Sequence, residues 1–224
     1  MDFMRMLRSL EELLYEVMTW LVFYPRTVLL TLVQPLKTLE YCKAQFHRPE
    51  EERFDRSLSP PLFLLLSLLL SHFLEIGLHI DPVGQVNAPI LQMSQQNLIV
   101  FRSLVFALFP LMFALRYVKA SGLSLSRTTL RAPFFIECYP ASVFALLLQI
   151  GMTMEHGLQH GRMAGGALAA GATVWYLAVQ TAWLSRGDKS RWKAFSIALW
   201  QLVKALAIIL LVAIGLAYES HLFG

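Results

Sequence analysis

The chain has 224 residues, of which 56% are hydrophobic and only 15% are charged, and its formal net charge is +4. Because a soluble domain of this length carries roughly a quarter charged residues, the composition indicates a membrane protein and excludes two independent soluble domains. The basic residues lie in short segments between apolar runs, which excludes nucleic acid as a partner, and Cys42 and Cys138 alone do not indicate a disulfide framework.

The N-terminal unit covers residues 1–46. Apolar side chains recur at helical spacing over 3–24, opposite a charged face, which predicts an amphipathic helix. Pro25 is predicted to end this helix and to start a second one that runs to about residue 45. Since Pro25 and Arg26 interrupt the apolar stretch, we expect an interfacial helical hairpin on the cytoplasmic face of the membrane. The alternative is two helices packed on the cytoplasmic ends of a bundle.

A polar joint over 47–60 leads into five apolar runs, each long enough to cross a hydrocarbon core of ~30 Å. The predicted spanning helices are 61–80, 97–118, 133–153, 163–184 and 195–217, within a transmembrane domain over 61–219. The predicted fold class is therefore an all-α membrane protein, a five-transmembrane-helix bundle with an N-terminal amphipathic interfacial helical hairpin.

The positions of lysine and arginine predict the orientation of the bundle. Basic residues are frequent before the first span and in the second and fourth loops, whereas the first loop and the C-terminal tail carry none and the third loop carries only Arg162. This alternation places the N-terminus in the cytoplasm and the C-terminus in the periplasm, in the inner (plasma) membrane of a bacterium.

An amphipathic N-terminal segment before five spans resembles the Yip1-domain family of small polytopic membrane proteins. The local residues that carry the resemblance are Ser59-Pro60-Pro61, the stretch TLRAPFFIECYPAS with Tyr139-Pro140, and Lys193-Ala194. The aspartate–aromatic–glycine–proline signature of the eukaryotic members is absent, and the short joint is similar to that of bacterial relatives described as permeases. The resemblance implies a membrane protein of permease type, or one that acts by binding partners.

Two carboxylates and two basic residues in the predicted spans lie away from the basic loops. Glu75 and Arg102 lie at similar depths in the outer half of the first two spans, and Glu137 and Lys204 lie toward the cytoplasmic side. Because an unpaired charge in a spanning helix is costly, we expect these residues to face the interior and to pair. They form either structural ion pairs or part of a polar pathway.

Histidines gather on the outer side of the predicted bundle. His72 and His79 flank Glu75 on one helical face, and His156 and His160 have the spacing of metal ligands on a helical turn. Two alternatives stay open: a cluster that binds a divalent cation or responds to pH, and histidines that merely reach the interface. We predict no resident cofactor, with a divalent metal at these histidines as the alternative.

Small residues recur every four positions in the fourth predicted span, including Gly161, Gly165, Gly166 and Gly171. Such ridges let helix backbones approach closely. Packing within the bundle is the first interpretation, and a subunit interface is the second.

No glycine-rich phosphate loop and no Ser/His/Asp arrangement is apparent, so we predict that the protein is not an enzyme. The alternative is a membrane metalloenzyme that uses the outer histidines. The expected function is that of a bacterial inner-membrane permease or channel, homo-oligomeric, with a polar route past the intramembrane charges. The alternative is a non-transporting Yip1-like membrane scaffold that binds a protein partner or shapes lipid. The expected partners are the lipid bilayer, further copies of the chain and a partner protein.

Overall fold

The structure, a computed structural model, describes residues 2–55, 57–78, 95–157, 161–186 and 190–223. Within these ranges the chain is α-helical without any strand, as the sequence predicts. The helices are α1 (Asp2–Val33), α2 (Pro35–Gln45), α3 (Pro60–Gly77), α4 (Gln95–Ala120), α5 (Arg127–Gly157), α6 (Arg162–Ser185) and α7 (Arg191–Phe223), and a 3-10 turn (Glu50–Glu52) lies in the joint. In the described residues, six helices are long and apolar enough to cross a membrane: α1 and α3 to α7.

The prediction that Pro25 ends the first helix is wrong, because α1 continues through Pro25 to Val33. A proline inside a helix removes one hydrogen bond and costs ~3 kcal/mol or more. Side chains of α1 on both sides of Pro25 pack on one buried cluster, which includes Phe63 and Tyr139, and an earlier end of the helix would lose this packing. The chain instead breaks at Gln34, whose φ of −130° and ψ of 55° lie outside the helical region, just before Pro35.

The third predicted span also begins earlier than expected. Ser126 Oγ accepts a hydrogen bond from the backbone N–H of Thr129 at 3.2 Å, and Thr129 Oγ1 accepts one from the N–H of Ser126 at 3.0 Å. This reciprocal cap fixes the start of α5 at Arg127, so that Pro133 lies inside the helix rather than at its first position.

Helix α5 is the centre of the molecule, since it packs against α3, α4 and α6 and also against α1 and α2. Helix α7 packs on the outside, against α6 and α4. The largest buried cluster brings together aromatic and small side chains of α3 to α7, including Leu68, Phe109, Phe144, Tyr176 and Leu202.

Two hydrogen bonds attach the second half of α1 to the bundle. The Tyr24 hydroxyl donates to Ser67 Oγ of α3 at 3.1 Å, and Trp175 Nε1 of α6 donates to the carbonyl oxygen of Leu32 at 3.3 Å. Tyr24 and Leu32 are about 12 Å apart along the axis of α1.

These two contacts nevertheless lie at one level of the bundle. Ser67 is one turn beyond Phe63, whose ring packs against Tyr139 of α5 with centroids 5.8 Å apart. Trp175 precedes Tyr176, whose ring stacks on Phe144 of α5. Both contacts therefore meet α5 about one turn beyond Tyr139. The second half of α1 is therefore attached to the bundle at two points, through α3 and through α6.

Candidate functional site

The first buried polar site joins α3, α4 and α5. Arg102 Nη1 lies 2.6 Å from Glu75 Oε2, and the two side chains are only 13% and 6% exposed. Thr153 Oγ1 donates its one proton to the carbonyl oxygen of Gln149 at 2.8 Å, and it lies 3.4 Å from the other carboxylate oxygen, Glu75 Oε1. The structure thus brings together Glu75 and Arg102, and it adds Thr153, which has no charge by which the sequence could have indicated it.

Two further polar side chains lie beside this pair. His72 is buried one turn before Glu75, and its Nδ1 lies 3.7 Å from Glu75 Oε2, beyond hydrogen-bond distance. Gln149 is buried one turn before Thr153 on the neighbouring helix. His72 Nδ1 and both amide atoms of Gln149 have no hydrogen-bond partner among the described residues. This corner of the bundle therefore has unused hydrogen-bonding capacity on two adjacent helices.

The histidine cluster that the sequence suggests is only partly described. His79 and His160 lie outside the described residues, and so does the side chain of His156. In the part of the chain that is described, no three histidine, cysteine or acidic side chains group as metal ligands. His72 therefore stands next to Glu75 and Arg102, and a role for the other three histidines stays a prediction.

The second buried polar site lies between α5 and α6, nearer the start of α5. Gln180 Nε2 of α6 donates to Glu137 Oε2 of α5 at 2.5 Å, and both side chains are buried. The expected pairing of Glu137 with Lys204 is not formed: Lys204 lies on the exposed face of α7, with its Nζ 5.5 Å from the centre of the Trp200 ring. The reason is the position of α7, which buries Ala194, Ala198, Gln201, Leu202 and Ala205 and leaves Lys204 on its exposed side.

Gln180 could not be found from charge, since it is an uncharged residue within an apolar run. The sequence does indicate that Glu137 needs a hydrogen-bond donor, because a buried carboxylate without one is costly. It does not indicate which residue supplies that donor. Glu137 also lines a cavity of about 220 Å³ together with Lys43, His47, Tyr117 and Trp183.

The two buried carboxylates are far apart. Glu137 and Thr153, the residue that contacts Glu75, are about 24 Å apart along α5. Between them Phe144 packs edge-on against Phe109 at 5.3 Å and stacks on Tyr176 at 4.7 Å between centroids. An aromatic layer therefore separates the site at Glu75 from the site at Glu137.

Among the predicted packing glycines, the structure assigns a close contact only to Gly165. A Cβ atom on Gly165 would lie 2.5 Å from the backbone nitrogen of Glu155, whereas nothing lies within 4 Å of one on Gly166 or Gly171. Gly161 is buried at the residue before α6. The partner of Gly165 is Gly151 on α5, which the sequence pattern missed because α5 has no series of small residues around it.

Two ion pairs join the N-terminal region to the start of α5 and to the end of α6. Arg131 Nη2 lies 2.5 Å from Glu50 Oε1 in the joint, and Arg186 pairs with Glu40 of α2. The hydrogen bond and the charge of Arg131 lower the pKa of Glu50 from its ordinary value. Both pairs are solvent-exposed, so each contributes little to stability and serves mainly to position α2 and the joint.

Comparisons with family models, with curated proteins and with solved structures find no match to this chain.

Proposed function

We propose that the chain is a non-transporting membrane scaffold, with α3 to α7 as five spans and with α1 and α2 applied to the cytoplasmic surface of the membrane. In this proposal the N-terminus is cytoplasmic, the C-terminus is periplasmic and the membrane is the inner membrane of a bacterium. The alternation of basic residues supports the orientation. The resemblance to the Yip1-domain family supports the architecture.

The observation that carries this proposal is the separation of the two buried carboxylates. A conducting pathway needs polar groups that line one route from side to side, whereas a scaffold needs only isolated pairs that satisfy each other. Glu75 is paired with Arg102, and Glu137 is bonded to Gln180, with the aromatic layer around Phe144 between them. The polar residues are thus arranged as local contacts between helices.

The course of α1 gives independent support. Its second half is hydrogen-bonded to α3 and α6, and its exposed surface is rich in apolar side chains, among them Leu21, Val22, Leu29 and Val33. A helix with such a surface is suited to lie against lipid. In this proposal α1 and α2 are the functional part, and the bundle of α3 to α7 anchors them.

The test is a flux assay on the purified full chain in liposomes. With a pH-sensitive dye and a potassium gradient, proteoliposomes should be no more permeable to protons or potassium than protein-free liposomes. A flux above that background that Glu75→Gln or Glu137→Gln abolishes would contradict the scaffold and favour a pathway.

A permease is the second candidate, and one observation favours it. His72 and Gln149 keep unused hydrogen-bonding atoms beside the Glu75–Arg102 pair, as expected for a polar chamber that takes up a solute. Such a permease would open the aromatic layer in a second conformation, and it would act as a homo-oligomer through exposed apolar faces of α6 and α7. Labelling of a Phe144→Cys variant by a water-soluble thiol reagent would support it.

A further inference from the structure

A cavity of about 280 Å³ lies between α1, α2 and the beginning of the bundle. Arg26 and Leu30 of α1 and Lys37 of α2 line it, and Ser57 and Tyr139 line it from the joint and α5; no acidic side chain of the described residues does. We infer that this cavity binds the headgroup of an anionic lipid, a phosphodiester that carries a polyol. The inference deepens the proposed function and rests on it, because it requires α1 and α2 to lie at the membrane surface.

The phosphate is recognised by two cations that have no other partner. Arg26 and Lys37 form no salt bridge within the described part of the chain, whereas Arg102, Arg131 and Arg186 each pair with a carboxylate. Guanidinium and ammonium groups are the side chains that bind phosphate best, through charge-assisted hydrogen bonds. The cavity therefore has uncompensated positive charge on two of its walls.

The polyol is recognised by the hydroxyl groups of Tyr41, Ser57 and Tyr139, which also line the cavity. Tyr139 donates to the carbonyl oxygen of Leu58 at 3.0 Å, so its oxygen is free to accept from Ser57 Oγ at 3.3 Å. Ser57 Oγ in turn lies 3.1 Å from the hydroxyl of Tyr41, which becomes its donor. With its proton engaged, the Tyr41 oxygen is an acceptor, which suits a hydroxyl of the headgroup rather than its phosphate.

The apolar surface beside the cavity favours a lipid over a soluble phosphate ester. Leu30 lines the cavity and is 46% exposed, and the neighbouring Leu29 and Val33 are 61% and 70% exposed. These side chains form a strip along which acyl chains can lie once the headgroup is bound. A soluble ester has no acyl chains and would make no contact with this strip.

The experiment measures binding of short-chain lipids to the detergent-solubilised full chain, below their micelle-forming concentrations. Dihexanoyl phosphatidylglycerol should bind at least about tenfold more tightly than dihexanoyl phosphatidylcholine, since the net negative charge meets Arg26 and Lys37. The variant Arg26→Gln/Lys37→Gln should lose about that factor. The control Arg5→Gln/Arg8→Gln removes the same charge from the exposed first half of α1 and should change the affinity less than about twofold.

Two more variants separate recognition from misfolding. Arg26→Lys/Lys37→Arg keeps both charges and should retain most of the affinity. Tyr41→Phe should weaken the binding of dihexanoyl phosphatidylglycerol but not the binding of dihexanoyl phosphatidic acid, which has no polyol. Equal losses in the Arg26/Lys37 and Arg5/Arg8 variants would overturn the site, and so would full competition by equimolar glycerol 3-phosphate or inorganic phosphate, which would identify a soluble ligand.

The flux assay distinguishes failure of this inference from failure of the scaffold. If the liposomes stay impermeable and the protein binds phosphatidylglycerol no more tightly than phosphatidylcholine, the headgroup site alone is overturned. Flux that depends on Glu137, with the lipid preference intact, overturns the scaffold alone.

Discussion

A Cβ atom on Gly151 of α5 would lie 2.8 Å from the carbonyl oxygen of Gly165 on α6 and 2.9 Å from the nitrogen of Ala169. The two helix backbones are therefore in direct contact at this crossing. Since the neighbours are backbone atoms, they cannot give way by a side-chain rotation. This pair of glycines sets the distance between the central helix and its most extensive neighbour.

Gly165→Ala is therefore expected to lower the thermal unfolding temperature in detergent, because α5 and α6 must separate to admit the methyl group. Overpacking of this kind costs ~1–3 kcal/mol or more. Gly171→Ala is the matched control on the same helix: nothing lies near its Cβ, so the change should be neutral or stabilising by up to ~1 kcal/mol. Equal losses in both variants would show that Gly165 is not at a backbone contact.

Glu75 and Arg102 are expected to behave as one unit. Removing one member of a buried pair leaves the other charge uncompensated, which costs ~3–5 kcal/mol in soluble proteins. Glu75→Gln and Arg102→Gln should each lower stability in detergent, and the double variant should recover part of the loss. Strictly additive losses in this double-mutant cycle would mean that the two charges do not interact.

The stability of the site at Glu137 is expected to depend on Gln180 and not on Lys204. Gln180→Leu leaves the Glu137 carboxylate without its donor and should destabilise the protein by ~1–3 kcal/mol. Lys204→Gln alters an exposed side chain and should leave the unfolding temperature unchanged. If Lys204→Gln destabilised the protein and Gln180→Leu did not, the result would support the Glu137–Lys204 ion pair that the sequence suggested.

The contact between Glu50 and Arg131 is expected to loosen in acid. The pKa of Glu50 in the folded protein is below the ordinary value of ~4.3, because Arg131 stabilises the carboxylate. The contribution of this pair is therefore fully present above ~pH 4.3 and is lost as the pH falls through the lower pKa of the folded state.

A spin label at Glu52 should report increased mobility of the joint as the pH falls below ~4. Glu50→Gln should give the mobile spectrum at every pH, whereas Glu51→Gln should not. High salt should weaken the effect, since the pair is exposed. A transition that persists in Glu50→Gln would assign it to another group.

Single cysteines should report the topology with a membrane-impermeant maleimide. Met163→Cys, at an exposed position near the start of α6, should be labelled from the periplasm, and Ser124→Cys should not. Background from Cys42 should be low, because burial raises the pKa of its thiol and keeps it protonated. Labelling of Arg8→Cys from outside, with Lys43→Cys inaccessible, would make α1 a sixth span.

The sequence by itself determined the class of protein and the approximate positions of α3 to α7. Apolar runs of about twenty residues between polar loops have few alternatives to helices in a membrane, since lipid offers no partner for the peptide groups. The low content of charge also made Glu75 and Arg102 conspicuous, and similar depth on adjacent spans made them natural partners.

The tertiary structure decided what depends on packing between distant segments. Only the packing of α1 on Phe63 and Tyr139 explains why its helix continues through Pro25. Only the position of α7 turns Lys204 away from Glu137, whose donor is an uncharged amide. Gly151 is critical because a particular residue of α6 approaches it, and no local pattern in α5 records that approach. The periodicity and charge of a sequence predict the faces of a single helix. These three features depend on which residues of two different helices come into contact, and the sequence of one helix does not contain that information.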